Sequence, residues 1–183
     1  MKSNTKILNF KIKGGYLLIE LMISISLLIA GFLGIIGIIS NSLSLNRVVS
    51  DQFTANYLAL EGIEVTKSML DANYMRPGPW NRGVRDGCYD IEYNSSGLIN
   101  NLNGFTCSDF SMRRPLEFNP ATGIYDYSGT ERTRFYRMIQ VQQIDREGNP
   151  RPDEIQIDSI VRWVSRGGGI FEVRLEDHFF DWR

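Results

Sequence analysis

The chain has 183 residues and a formal net charge of -1, from 20 basic and 21 acidic side chains. That length accommodates one globular domain and an additional segment. The balanced charge supplies no basic surplus of the kind that meets nucleic-acid phosphates.

The asymmetry of the chain begins at its start. Lys2, Lys6, Lys11 and Lys13 precede an apolar run from Leu17 to Ile39, and no acidic residue accompanies them. Positive charge on this side holds the N-terminus in the cytoplasm and sends the C-terminal part across. A helix of about 20 residues at about 1.5 Å per residue spans a bilayer, and this run is that long. A secretory signal would have a shorter apolar core and an A-x-A-type cleavage site behind it. Neither is present, so the apolar segment is expected to stay on the mature protein. One residue interrupts it. Glu20 lies inside Tyr16-Leu-Leu-Ile-Glu-Leu-Met-Ile23, where a carboxylate costs several kcal/mol unless it is paired or kept at the interface.

The stretch Lys13-Gly-Gly-Tyr-Leu-Leu-Ile-Glu20 resembles the prepilin cleavage motif of type IV pilins and type II secretion pseudopilins: a short basic leader ending in Gly, then an aromatic residue, then an apolar run with Glu at its fifth position. Two positions depart from the usual pattern, Tyr16 in place of Phe and Leu17 in place of Thr. The resemblance implies a leader at 1–15, cleavage between Gly15 and Tyr16 by a membrane-bound prepilin peptidase, and N-methylation of Tyr16. It makes Glu20 the acid that pairs with the new amine of a neighbouring subunit. The partners it implies are other pilin subunits, met through the N-terminal helix, together with the peptidase and the membrane. The location it implies is the inner membrane, with the C-terminal domain outside the cytoplasm, and then a filament.

Gly31, Gly34 and Gly37 fall within the apolar helix. Their spacing drifts around it, consistent either with plain tolerance or with close packing in an assembly. The membrane half of the helix is expected over 16–40 and a continuation over 41–76. Between Asp51 and Asp71 the apolar residues recur at helical spacing in two stripes, Ala59, Leu60, Ile63 and Leu70 in one, Leu58, Val65 and Met69 in the other. The segment Leu58-Ala-Leu-Glu-Gly-Ile-Glu64 resembles a stretch found just after the membrane half in minor-pilin-like members of the same family. Pro77-Gly78-Pro79 stops the helix.

The remainder, 77–183, reads as strands and turns. Tyr89–Tyr93 alternates, and Phe135–Ile144, Ile155–Val164 and Ile170–Leu175 alternate or are rich in β-branched residues, with turn chemistry between them. Three late strands with short connections suggest an antiparallel meander covering the helix. Its core candidates are Phe135, Ile139, Val141, Ile157, Val161, Trp163, Phe171 and Val173. The expected class is therefore α+β, a long N-terminal helix packed on a C-terminal antiparallel sheet.

Cys88 and Cys107 are the only cysteines and lie on the same side of the apolar segment. They are too few for a four-ligand zinc site of the usual kind. A disulfide in an oxidising compartment is the natural reading, and two buried thiols the other. His178 is the only histidine, set among bulky aromatics, and reads as packing or surface filler. No nucleophile–base arrangement, G-x-S-x-G or phosphate-binding loop is present, so neither an enzyme nor a cofactor is expected. Asp145, Glu147, Asn149, Asp153 and Glu154 form an acidic stretch that matches no calcium loop and reads as a solvated hairpin turn. Asn94-Ser95-Ser96 fits a glycosylation sequon by pattern alone. The function expected is that of a structural subunit, a minor pilin. The alternatives are a pseudopilin of a secretion or DNA-uptake system and a single-pass membrane protein with a ligand-binding ectodomain.

Overall fold

The computed structural model describes residues 14–93, 107, 114–145, 148, 152–165 and 168–181. The chain divides into two compact units, Met1–Arg47 and Val48–Arg183. A single helix, α1, runs from Gly14 to Tyr74.

Over Tyr16–Asn46 every side chain of α1 is exposed, and most are apolar on all sides of the helix. An all-apolar helix with no protein around it has only lipid or other helices to satisfy it. The helix is long and apolar enough to cross a membrane, as the sequence indicates. Ser26 donates its hydroxyl to the Met22 carbonyl, so this polar side chain is satisfied within the helix.

In the second unit, α1 packs on a four-stranded antiparallel sheet, so the chain has the expected α+β architecture. The strands are β1 (Gly87–Tyr89), β5 (Phe135–Ile144), β6 (Glu154–Val164) and β7 (Ile170–Phe180), in the spatial order β1-β5-β6-β7. A second small sheet is built from β2 (Glu117–Asn119), β3 (Ile124–Asp126) and β4 (Glu131–Arg132), in the order β3-β2-β4. The register runs Phe135↔Trp163 to Ile144↔Glu154 between β5 and β6, and Glu154↔Phe180 to Val164↔Ile170 between β6 and β7. The meander of β5, β6 and β7 follows the expected segments closely, though β7 continues to Phe180, past Leu175. The alternating stretch Tyr89–Tyr93 does not form a strand of its own: β1 starts earlier and ends at Tyr89, because its partner residues Ile139–Val141 lie opposite Gly87–Tyr89.

The helix lies on the face of the sheet carrying Phe135, Ile139, Val141, Ile157, Val161 and Trp163, all buried. Phe171 and Val173 are only partly covered because β7 is the edge strand. Ala55, Leu58 and Ala59 join Phe135, Val161 and Trp163, whereas Ile63 and Leu70 join Ile139, Val141, Ile155 and Ile157. The helix therefore runs in the same direction as β5 and β7. Two stripes were expected on this part of α1, and one buried face is found. Leu60 turns outward at 44 % exposure, and Leu58 moves to the buried face. The buried positions 51, 55, 58, 59, 63, 66 and 70 follow helical spacing, but several are small or polar: Ala55, Ala59 and Thr66, with Asp51 at the top. Gly62 lies on this face too. A Cβ there would come 2.5 Å from the Ser159 hydroxyl oxygen and 2.6 Å from Ile139 Cδ1. The small side chains let the helix backbone settle directly onto the sheet.

The helix ends at Tyr74, ahead of Pro77-Gly-Pro79. Asn73 continues its work by donating its amide to the carbonyls of Trp80 and Arg82, 3.0 and 2.8 Å away. Trp80 then packs back as a buried residue against Tyr74.

Candidate functional site

Three places in the chain carry charge or chemistry in unusual surroundings, and each is set by a different element.

The first is the start of α1. Gly14 and Gly15 open the helix, Tyr16 is 75 % exposed, and Glu20 lies one turn further on among exposed apolar side chains. Glu20 makes no hydrogen bond or ion pair among the described residues. At Gly31, Gly34 and Gly37 an added Cβ would meet nothing. Among the described residues, no neighbour requires these glycines.

The second is inside the domain. Arg137 is fully buried on β5. It donates from Nη1 to the Leu58 carbonyl at 3.0 Å and from Nη2 to the Ile91 carbonyl at 2.6 Å, and Nη1 lies 3.1 Å from Glu61 Oε1. The guanidinium thus ties the helix, the central strand and the segment after β1 together. Nearer the start of the domain, Arg134, just before β5, closes on Asp51 at 2.6 Å, a second tie to α1. Both are structural. Sequence reasoning did not single out either arginine.

The third is on the opposite face of the sheet. His178 on β7 has Glu154 Oε1 2.5 Å from Nδ1 and Glu176 Oε1 2.9 Å from Nε2. It was expected as filler, and it instead bridges two carboxylates. Glu154 was expected in a solvated turn, and it is the first residue of β6, with its side chain only 1 % exposed. The register explains this: Glu154 starts the strand opposite Phe180, so the ring of His178 reaches over it. Hydrogen bonds that its ring donates to Glu176 and Glu154 raise the His178 pKa above its ordinary value, against a smaller opposing effect of desolvation. Burial, aided by Glu176 and opposed mainly by Arg174, raises that of Asp158.

The sign of the His178 effect follows. A folded-state pKa above the unfolded value of about 6.5 stabilises the fold fully below that pH, and the contribution disappears as pH rises through the folded value. Denaturation midpoints of wild type and His178→Gln should therefore differ most under mildly acidic conditions and converge as the pH becomes alkaline. A difference that grows with pH would contradict the pairing.

No protein-family model, curated protein or solved structure matches this sequence.

Cys88 and Cys107 are joined in a disulfide, with Cα atoms 5.6 Å apart. Cys88 lies on the face of the sheet away from α1, where it packs with Met138 and Ile160, and Cys107 and Tyr136 lie against them. The bond fastens Cys107 to this outer face. The sequon at Asn94 lies outside the described residues, and so do Glu147 and Asn149 of the acidic stretch. No group of three or more metal-ligating side chains is found among the described residues.

The bridge closes a loop of 19 residues in sequence separation, for which loop-closure entropy gives about 3 kcal/mol. Replacing both cysteines with Ser should lower the unfolding free energy by about that amount, read from chemical denaturation. An unchanged midpoint would show that the connection is held by other means.

Proposed function

We propose that the chain is a structural subunit of a type IV pilus or related pilin-type filament, of the minor-pilin kind, made as a prepilin and processed between Gly15 and Tyr16. The observation that carries this reading is the start of α1. The helix begins at the two glycines, and its first half, residues 16–46, is apolar on all sides, exposed, and carries a single carboxylate, Glu20, at the fifth position after Gly15. The disulfide suits a domain outside the cytoplasm, in agreement with the basic residues ahead of the helix.

In this reading the leader 1–15 stays cytoplasmic until a membrane peptidase removes it, and Tyr16 becomes an N-methylated terminus. The all-apolar half of α1 lies first in the bilayer and then among the helices of neighbouring subunits. The domain from Val48 onward is displayed on the filament. A pseudopilin uses the same N-terminus and differs in the machine it serves. A single-pass protein that keeps its leader and displays a ligand-binding domain is the competing class.

Intact-mass and N-terminal peptide measurement on protein taken from membranes separates these. The mature chain should start at Tyr16 with a methyl group on its amine. Gly15→Val should leave the leader attached, since a branched side chain obstructs a site shaped for glycine, and the mass should rise by that of the leader. A native chain that starts at Met1 would leave the single-pass protein as the remaining reading.

A further inference from the structure

On the β1 side the open edge is short. β1 has three residues, and the edge of β5 beyond it is occupied: the amide of Leu116 donates to the Phe135 carbonyl at 2.8 Å, and the Asp86 carboxylate accepts from the amide of Gln143 at 2.5 Å. The β7 side is different. All 11 residues of β7 pair with β6, and no strand lies on its other side among the described residues. Such an edge is a template for another strand, and proteins usually blunt it with proline, charged side chains, a bulge or a short length. β7 contains no proline and is among the longest strands of the domain, and the charges it does carry, Glu172, Arg174, Glu176 and Asp177, are of both signs.

Its outer face reads Ile170, Glu172, Arg174, Glu176, His178, Phe180. This order is complementary to its own reverse. Antiparallel pairing of two copies centred on Leu175 sets Arg174 opposite Glu176 of the second copy, Glu172 opposite His178 and Ile170 opposite Phe180, each pair occurring twice. Ile170 is 70 % and Phe180 53 % exposed, so the ends of the strand carry apolar surface that the pairing would cover. The neighbouring registers that keep the same faces together fail. A shift one way sets Arg174 against Arg174 and Glu172 against Glu176. The other way sets Glu176 against itself and Arg174 against His178. Opposite charges across a strand pair stabilise it and like charges weaken it, so the charge order selects one register. Asp158 and Glu176 already face each other across β6 and β7, and Arg174 stands 3.9 Å from Asp158. A second copy would bring another arginine to this acidic pair.

We propose that β7 is a self-association edge, through which two copies of this chain join antiparallel about a two-fold axis at Leu175 to make one continuous sheet of eight strands. The inference does not depend on the pilin reading. The contact is isologous and closes on itself, so it does not propagate a filament. α1 runs parallel to β7, so the helix segments from Val48 to Tyr74 of the two copies lie antiparallel. That geometry joins copies facing one another, unlike the repeated parallel arrangement of subunits within one helical array.

The test uses full-length protein in detergent, carrying two different tags. Arg174→Glu and Glu176→Arg should each lose self-association by about tenfold, because both cross-strand charge pairs become repulsive. Mixed together, the two variants restore every pair, and should capture each other as wild type captures itself. Leu175→Cys should form a disulfide-linked dimer under mild oxidation, whereas Val173→Cys, displaced from the axis, should not. Retention of the Cys88–Cys107 bond and a cooperative unfolding transition show that each variant is folded. Leu175→Cys that stays monomeric under mild oxidation, or Arg174→Glu that self-associates normally, overturns the proposal. So does a mixture of the charge variants that stays apart.

Discussion

Arg137→Ala should cost the domain about 3 kcal/mol or more of unfolding free energy, a large share of the about 5–15 kcal/mol typical of a folded protein. The size follows from what the side chain leaves behind. The guanidinium is fully buried and serves the carbonyls of Leu58 and Ile91 as well as Glu61. Removal strips the Ile91 carbonyl of this donor, and a buried acceptor without a partner costs about 1–3 kcal/mol. It also opens a cavity beneath the helix, with its own cost. Glu61 limits the loss, since its side chain is 30 % exposed and water can take over part of the pairing. Arg137→Met separates the parts, because it keeps most of the volume and removes all the donors. It should recover the cavity component and leave the polar one. Chemical denaturation of the three proteins, with the disulfide intact, reads both. If Arg137→Met is as stable as wild type, the hydrogen bonds contribute nothing net, and the residue is there for its bulk.

How much of this was legible follows from the same residues. β5, β6 and β7 could be read because ten or eleven residues of alternation outweigh any single exception. The strands β2, β3 and β4, two or three residues each, are too short to show a period and exist only through their mutual pairing. Arg137 had a signal: in Phe135-Tyr-Arg-Met-Ile-Gln-Val141 it occupies the same parity as the core residues Phe135, Ile139 and Val141. A charge at a core parity marks a buried tie between elements. The packed face of α1 was misread for the opposite reason. Its close approach to the sheet depends on Ala55, Gly62 and Thr66 beside Ala59, and of these only Ala59 stands out as part of an apolar stripe. The setting of His178 was hidden because it depends on register: only the pairing of β6 with β7 brings Glu154 to the ring.

The start of α1 stands in the reverse position, conspicuous in the sequence and, for Glu20, without a partner among the described residues. Glu20→Ala tests what that means. In a membrane a carboxylate near the centre of a helix costs about 2.5–3.5 kcal/mol, less toward the interface. Removing it should leave insertion intact or slightly favoured. The proposed cleavage should persist, because it would involve Gly15 and Tyr16 and not Glu20. Assembly should fall, and the reason is one of register. In the proposed mature chain Tyr16 would carry an amine and Glu20 the nearest carboxylate, each costly to desolvate alone and less so together. A pair within one helix moves as a unit and says nothing about a neighbour. A pair between helices fixes how far one subunit is displaced along the next. A smooth apolar surface lacks that information, since Leu and Ile side chains pack acceptably at several offsets. The mutant should therefore reach the membrane at wild-type level, start at Tyr16, and be depleted in filaments sheared from cells, by about tenfold if the pair contributes about 1.4 kcal/mol per subunit. Glu20→Gln, which keeps size and hydrogen bonding and removes charge, should fall nearly as far. Normal incorporation of both variants would leave Glu20 as a residue of the membrane interface and transfer the burden of register to other parts of the helix.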